Sequence, residues 1–275
     1  MRFVAPARDA VPPERFDHPI FAGYRRHLDL LAMSDWPDLA QLNERTIAVN
    51  AAAGVRFATQ DASLLADGLH YELRIAHRGL VATRASNWHD LLNALVWIEH
   101  TPLKRALNQR QVDDIARVGP HARTRGQCAL THFDEAGVIV HLRDETPLTA
   151  WDVHDWHGFF LDHADEWREQ ITVTVFGHAL LEHALLADAW FVGKALVVIS
   201  DDSPAADMAQ IAAAVADGNL LSDPLELRPL PLNGIPGWHP LAGDRSFYRT
   251  APCFRPLRAG RCYPAPFKTR LPGAT

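Results

Sequence analysis

Two short stretches carry the residue types of a hydrolytic metal centre at the starts of apolar elements. "SNWHDLLNALVW", residues 86–97, opens with Asn87, His89 and Asp90, and "FGHALLEHAL", residues 176–185, holds His178, Glu182 and His183. A neutral imidazole beside a carboxylate suits zinc, iron or manganese. At about 100° per residue, His178 and Glu182 share one helical face, whereas His178 and His183 diverge by roughly 140°. The spacing lets His178 and Glu182 bind one divalent ion together and sets His183 elsewhere. A catalytic site needs a further ligand from a distant segment, and the polar start near residue 87 is the natural donor. The implied chemistry is hydrolysis: His89, His178 and Glu182 hold an ion that activates water, Asp90 completes the catalytic set, and Asn87 or Glu135 orients the substrate.

A plainer reading competes with this one. Asn87 is a good helix cap, and Asp90 in the first turn favours the positive end of the helix dipole. Gly177 and His178 likewise mark a strand-to-helix turn, where a histidine can serve structure alone. "FGHALLEHAL" is neither H-E-x-x-H nor H-x-x-E-H, because Ala179 stands where the first needs Glu and His178 sits one residue too early for the second. The chain also lacks G-x-G-x-x-G, a Walker A loop and a G-x-S-x-G elbow, so nucleotide and serine-hydrolase readings fall away.

These residues need elements to position them. Apolar spacing predicts a helix over Pro19–Met33 and a second from "SDWPDLAQLNERTIAV", with Asp35 as cap and Pro37 in the first turn. "VRFAT" and "YELRIA" alternate as strands, and a glycine turn leads to "VATR". Two helices follow, one after Asn87 and one over "TPLKRALNQRQVDDIARVG". "ALTHFDEAGVIVHL" reads as a hairpin around Asp134, Glu135 and Gly137, and Trp151–Trp167 as an aromatic-rich helix. From Ile171 the order is strand, helix, strand, helix, with Ser203 and Pro204 opening the last. Two strands of such a β-α-β-α unit in one sheet are expected to run parallel.

The fold expected is α+β: one compact domain over residues 1–275, a mixed sheet with flanking helices, a loosely ordered start over 1–18 and an irregular Pro/Gly-rich strap over 218–275. Its length allows roughly 70% of the unfolded surface to be buried. A net charge of -6 lacks the basic excess of a general nucleic-acid binder. Cys128, Cys253 and Cys262 form no C-x-x-C pair, which argues against a disulfide scaffold and a thiolate zinc knuckle. Without an apolar leader or a run of 18 apolar residues, a cytoplasmic protein with no membrane contact is expected.

Five stretches then resemble a known family in their order: "TRASNWHDLLNALVWIEHTPLKRALNQRQ", "ALTHFDEAGVIV", "FGHALLEHAL", "PLPLNGIPGWHP" and "FYRTAPCFRPLR". From about Trp36 to Arg258 the chain is similar to the DUF3025 family of uncharacterised bacterial proteins. The resemblance implies a single domain with these stretches as its signature and carries no catalytic assignment. The family pattern has an Arg-Asp pair before "ALT", where this chain has Gln127 and Cys128, so no role of that acid transfers. Two functions stand: a metal-dependent hydrolase, or a non-catalytic protein that binds a small molecule or protein partner and uses the same residues as caps and a buried polar network.

Overall fold

Runs of β-branched residues build the central sheet. The computed structural model describes residues 3–269. Strands β1 (Arg56–Thr59) and β2 (Leu80–Thr83) form a small parallel pair. The main sheet contains β3 (Gly137–Leu142), β4 (Thr172–Val175), β5 (Val192–Ile199), β6 (Arg228–Pro231) and the short β7 (Phe267–Lys268). Its order is β4-β3-β5-β6, with β7 parallel to one end of β5. All six residues of β3 are buried, as a strand covered on both faces requires. Helices flank the sheet, giving one compact α+β domain.

The β-α-β-α expectation fails in its topology. β4 and β5 belong to one sheet but are separated by β3, which is antiparallel to β4 and parallel to β5. The segment between them holds only the six-residue His178–His183 helix, and the two strands run antiparallel to each other.

Two predicted strands are helices. "YELRIA" lies in the Tyr71–Arg78 helix, where the His70 ring accepts from the Glu72 N–H and Gly79, at φ +63°, ends the helix in the left-handed region. Tyr71 and Ile75 fit period 3.6 as well as period 2, and these local ends decide for the helix. The hairpin expected around Asp134 is also absent: a helix runs from Arg125 to Ala136 and passes directly into β3. Thr124 Oγ1 accepts from the Gln127 N–H at 2.9 Å while Gln127 Oε1 accepts from the Thr124 N–H at 3.0 Å. This reciprocal cap starts the helix, and Ala129, Leu130 and Phe133 bury one face of it. Asp134 and Glu135 therefore stand in its last turn.

Smaller differences share this local origin. The second helix begins at Leu39 with Asp38, not Asp35, as its cap: Asp38 Oδ1 accepts from the Gln41 N–H at 2.8 Å. The expected Trp151–Trp167 helix is broken into turns at Leu148–Asp152, Gly158–Asp162 and Ala164–Glu169, with His154 at φ +58° between the first two. The start of the chain is not loose where described, since Val11 and Phe16 enter the core and Arg8 donates to the Leu30 carbonyl at 2.8 Å. The tail packs on the domain through Leu230, Leu232, Phe247 and Tyr248, and it contributes β6 and β7 rather than irregular chain alone. Residues 1–2 and 270–275 of these two segments lie outside the described residues.

Candidate metal centre

The Trp88–Glu99 helix starts as a cap. Asn87 Oδ1 accepts from the Asp90 N–H at 3.0 Å. The Asp90 carboxylate accepts from the Arg84 backbone N–H at 2.6 Å and from the Arg84 guanidinium at 3.0 and 2.7 Å. Asp90 is thus turned toward Arg84; it lines the same cavity as His89 and His178 but is not part of their cluster. Asn87 borders a different cavity from the one at His89 and His178. His89, which the cap does not use, lies between Asn87 and Asp90 in the same turn.

His178 reaches the same place from the other side of the fold. Gly177 sits so close to the preceding helix that a Cβ there would lie 2.5 Å from Ala136 Cα and 2.6 Å from the Glu135 carbonyl oxygen. Only glycine permits this approach, and it sets His178 beside Asp134 and Glu135. His178 Nε2 is 3.0 Å from His89 Nε2 and 3.7 Å from Glu135 Oε2. One ligand atom from each of His89, Glu135 and His178 falls within 4.8 Å of the others. Glu135, read from sequence as a substrate contact, belongs to this cluster.

Glu182 moves the other way. It does not face the ion position with His178; its Oε2 is 3.1 Å from His89 Nδ1, on the far side of that ring. A carboxylate on the second nitrogen of a ligand histidine fixes its tautomer and orientation. His183 is outside the cluster, with its ring 4.2 Å from that of Phe3.

Burial pushes the His178 imidazole down to about 3, with nearby Asp134 opposing and Lys104 and His89 adding to the fall. His178 is therefore neutral near pH 7 and offers a lone pair. His89 is raised, chiefly by its hydrogen bond to Glu182, against the effect of burial. Burial also raises the Glu135 carboxyl, and His89 opposes that. Among the described residues, buried His178 Nδ1 has no hydrogen-bond partner; Asp134 Oδ2 lies 3.9 Å away.

Beside the cluster is a cavity of 320 Å³, at the lower end of small-molecule sites. Its wall includes buried Lys104, whose ammonium donates to Asp134 Oδ1 at 2.6 Å and Asn93 Oδ1 at 2.9 Å. Burial would raise Asp134, but Lys104 and His178 outweigh it and hold that carboxyl below its ordinary range. Deeper in the wall, Asn108 Nδ2 donates to Glu72 Oε2 at 2.6 Å, while burial pushes the Glu72 carboxyl up to about 7. Sequence reading missed Lys104, Asn108, Asp134 and Glu72. A signal was present for the first two: Leu103, Lys104, Leu107 and Asn108 form one buried helix face, and polar residues on an apolar face need partners.

A family model described as "Protein of unknown function (DUF3025)" matches residues 55–258. The chain belongs to this family. Neither the curated proteins nor the solved structures include a match. In this DUF3025 chain the whole cluster, with Lys104 and Glu182, lies within the matched span. Gln127 takes part in the reciprocal cap of its helix and borders the cavity, and Cys128 is half-buried.

Proposed function

We propose that this DUF3025 chain is a metal-dependent hydrolase that holds one divalent ion, zinc, iron or manganese, between His89 Nε2, His178 Nε2 and Glu135. The observation that carries this reading is the approach of the three ligand atoms to within 4.8 Å at the edge of a polar cavity. Two nitrogens about 2.1 Å from a common ion stand about 3.0 Å apart at a right angle and about 3.4 Å apart at a tetrahedral one. The 3.0 Å separation favours the right angle, as when two histidines and a carboxylate take one face of a site with open positions.

In this reading the bound ion lowers the pKa of a water so that hydroxide is available near neutral pH. The protein groups do the rest. Glu182 holds His89 by its Nδ1–H and leaves Nε2 free to ligate. Lys104, anchored by Asp134 and Asn93, supplies fixed positive charge where an oxyanion would develop. The partner is a small polar molecule in the cavity, not a nucleic acid or a membrane. No described helix is long and apolar enough to cross a bilayer. The three free cysteines support a cytoplasmic setting.

One observation favours the non-catalytic alternative. The distance of 3.0 Å is also that of a hydrogen bond. A protonated His89 can donate through Nδ1 to Glu182 and through Nε2 to neutral His178, which completes a network without an ion. Metal content separates the readings. Protein purified without chelator or a nickel tag is expected to contain about one ion per chain, and hydrolysis of a p-nitrophenyl carboxylic ester should vanish on chelation and return with the ion. A metal-free protein that binds neither zinc nor manganese on titration would exclude the hydrolase and leave the network.

A further inference from the structure

A second cavity, of 520 Å³, lies over β5 and β6 and is bordered by the tail. Four cationic residues line it, Lys194 from β5 and Arg255, Arg258 and Arg261 from the tail. In the sequence the three arginines recur every third residue in "FRPLRAGR", a run with no part in the metal centre. No carboxylate lines the cavity among the described residues. Two acids outside the lining have partners: Asp152 accepts from Arg228 at 2.6 Å, and Asp223 accepts from Arg125 at 2.7 Å while also feeling the charge of Arg261.

Lys194 is half-buried, and no ion pair forms to it among the described residues. Burial lowers its ammonium below the ordinary lysine range, and Arg258 and Arg261 lower it further. Arg261 donates to the Leu225 and Leu227 carbonyls at 2.8 and 3.2 Å, and its guanidinium stands 4.3 Å over the Tyr263 ring. It is therefore held in position rather than free in solvent. Gathering like charges around a partly desolvated lysine is unfavourable unless an anion joins them. The remaining wall combines apolar Trp156, Val192, Leu225 and Leu227 with His132, His154 and Tyr263, and the His154 ring is already hydrogen-bonded to the Arg255 carbonyl and the Tyr263 hydroxyl.

We propose that this cavity binds a small phosphate monoester with an apolar body, the phosphate set among Lys194, Arg258 and Arg261 and the body against Trp156 and Leu227. A dianion answers three cations that form no ion pair among the described residues better than a single carboxylate does, and guanidinium groups match phosphate oxygens in geometry. The volume is that of a small-molecule site. A nucleic-acid backbone would need an extended basic surface, and the chain carries a net charge of -6.

Calorimetric titration of the full chain with phenyl phosphate tests this. Saturable binding of one ligand per chain is expected, tighter than that of inorganic phosphate or benzoate. Lys194→Met and Arg258→Gln should each weaken it about tenfold or more, as loss of a charge-assisted contact does. His178→Ala should leave it unchanged, which separates this cavity from the metal centre. Arg258 is exposed, so Arg258→Gln decides even if the Lys194 variant does not fold. The proposal is overturned by the absence of saturable binding at millimolar ligand, by phenyl phosphate binding no tighter than inorganic phosphate, or by binding that survives Arg258→Gln but not His178→Ala.

Discussion

The Nε2 atoms of His89 and His178 are 3.0 Å apart although 89 residues separate them in the chain. Each ring has a carboxylate toward its other nitrogen, Glu182 at 3.1 Å from His89 Nδ1 and Asp134 at 3.9 Å from His178 Nδ1. The pair is thus held by a hydrogen bond on the His89 side, while Asp134 stands beyond hydrogen-bond reach of His178. His178→Ala is expected to abolish stoichiometric metal binding while the circular dichroism spectrum and cooperative unfolding persist. A metal-free wild type whose His178→Ala variant is strongly destabilised would instead identify a structural network.

In the proposed site Glu182 acts through His89 rather than by ligation. Glu182→Gln should therefore weaken zinc affinity by about 10–100-fold without abolishing it, the usual effect of losing an outer carboxylate. Competition against a chromogenic chelator measures this. Loss as complete as that of His178→Ala would make Glu182 a direct ligand.

Gly177 sets the spacing of the site. In Gly177→Ala the new Cβ meets backbone at 2.5–2.6 Å, and backbone cannot rotate away as a side chain can. A destabilisation of about 1–3 kcal/mol is expected, the range for overpacking, together with weaker metal binding as His178 parts from Glu135. Urea unfolding and metal titration on the same sample report both effects. A variant with wild-type values for both would show that the close approach is dispensable.

Acid stability should depend on Glu99. Burial would raise its carboxyl, but hydrogen bonds from His27 and Arg26 reverse this and hold it at about 2. Its folded value is below its unfolded value, so its contribution is complete above about pH 4.5 and is lost as the pH falls toward 2. The stability difference between wild type and Glu99→Gln, from urea unfolding at several pH values, should shrink over that window. A difference independent of pH would contradict the assignment.

The tail is part of the fold. Its Leu230 and Leu232 are fully buried, and Leu230→Ala should cost about 2–5 kcal/mol as a core truncation. Truncation after Asp217 removes β6, β7 and this packing, and a melting temperature equal to that of the full chain would refute the docking.

Features written within a few residues could be read directly. Asn87 as a cap, the Thr101–Val118 helix with Pro102 at its start and Gly119 at its end, and the β-branched runs of β4 and β5 all follow from short-range sterics and hydrogen bonding. His89 and His178 also stood out as polar residues at the starts of apolar elements. Their roles and those of their neighbours were not local. Tyr71–Arg78 and Arg125–Ala136 carry apolar spacings that fit either period, and the glycine after each suggested a turn; folded, the second helix takes Asp134 and Glu135 from a surface turn to the site. Likewise, whether Glu182 faces an ion or the back of a histidine depends on where a segment about 90 residues away lies, and helical spacing carries no such information. Propensity and capping act over about one turn of chain. The partner of each carboxylate was settled by long-range packing: β3 between β4 and β5, and Gly177 against Ala136.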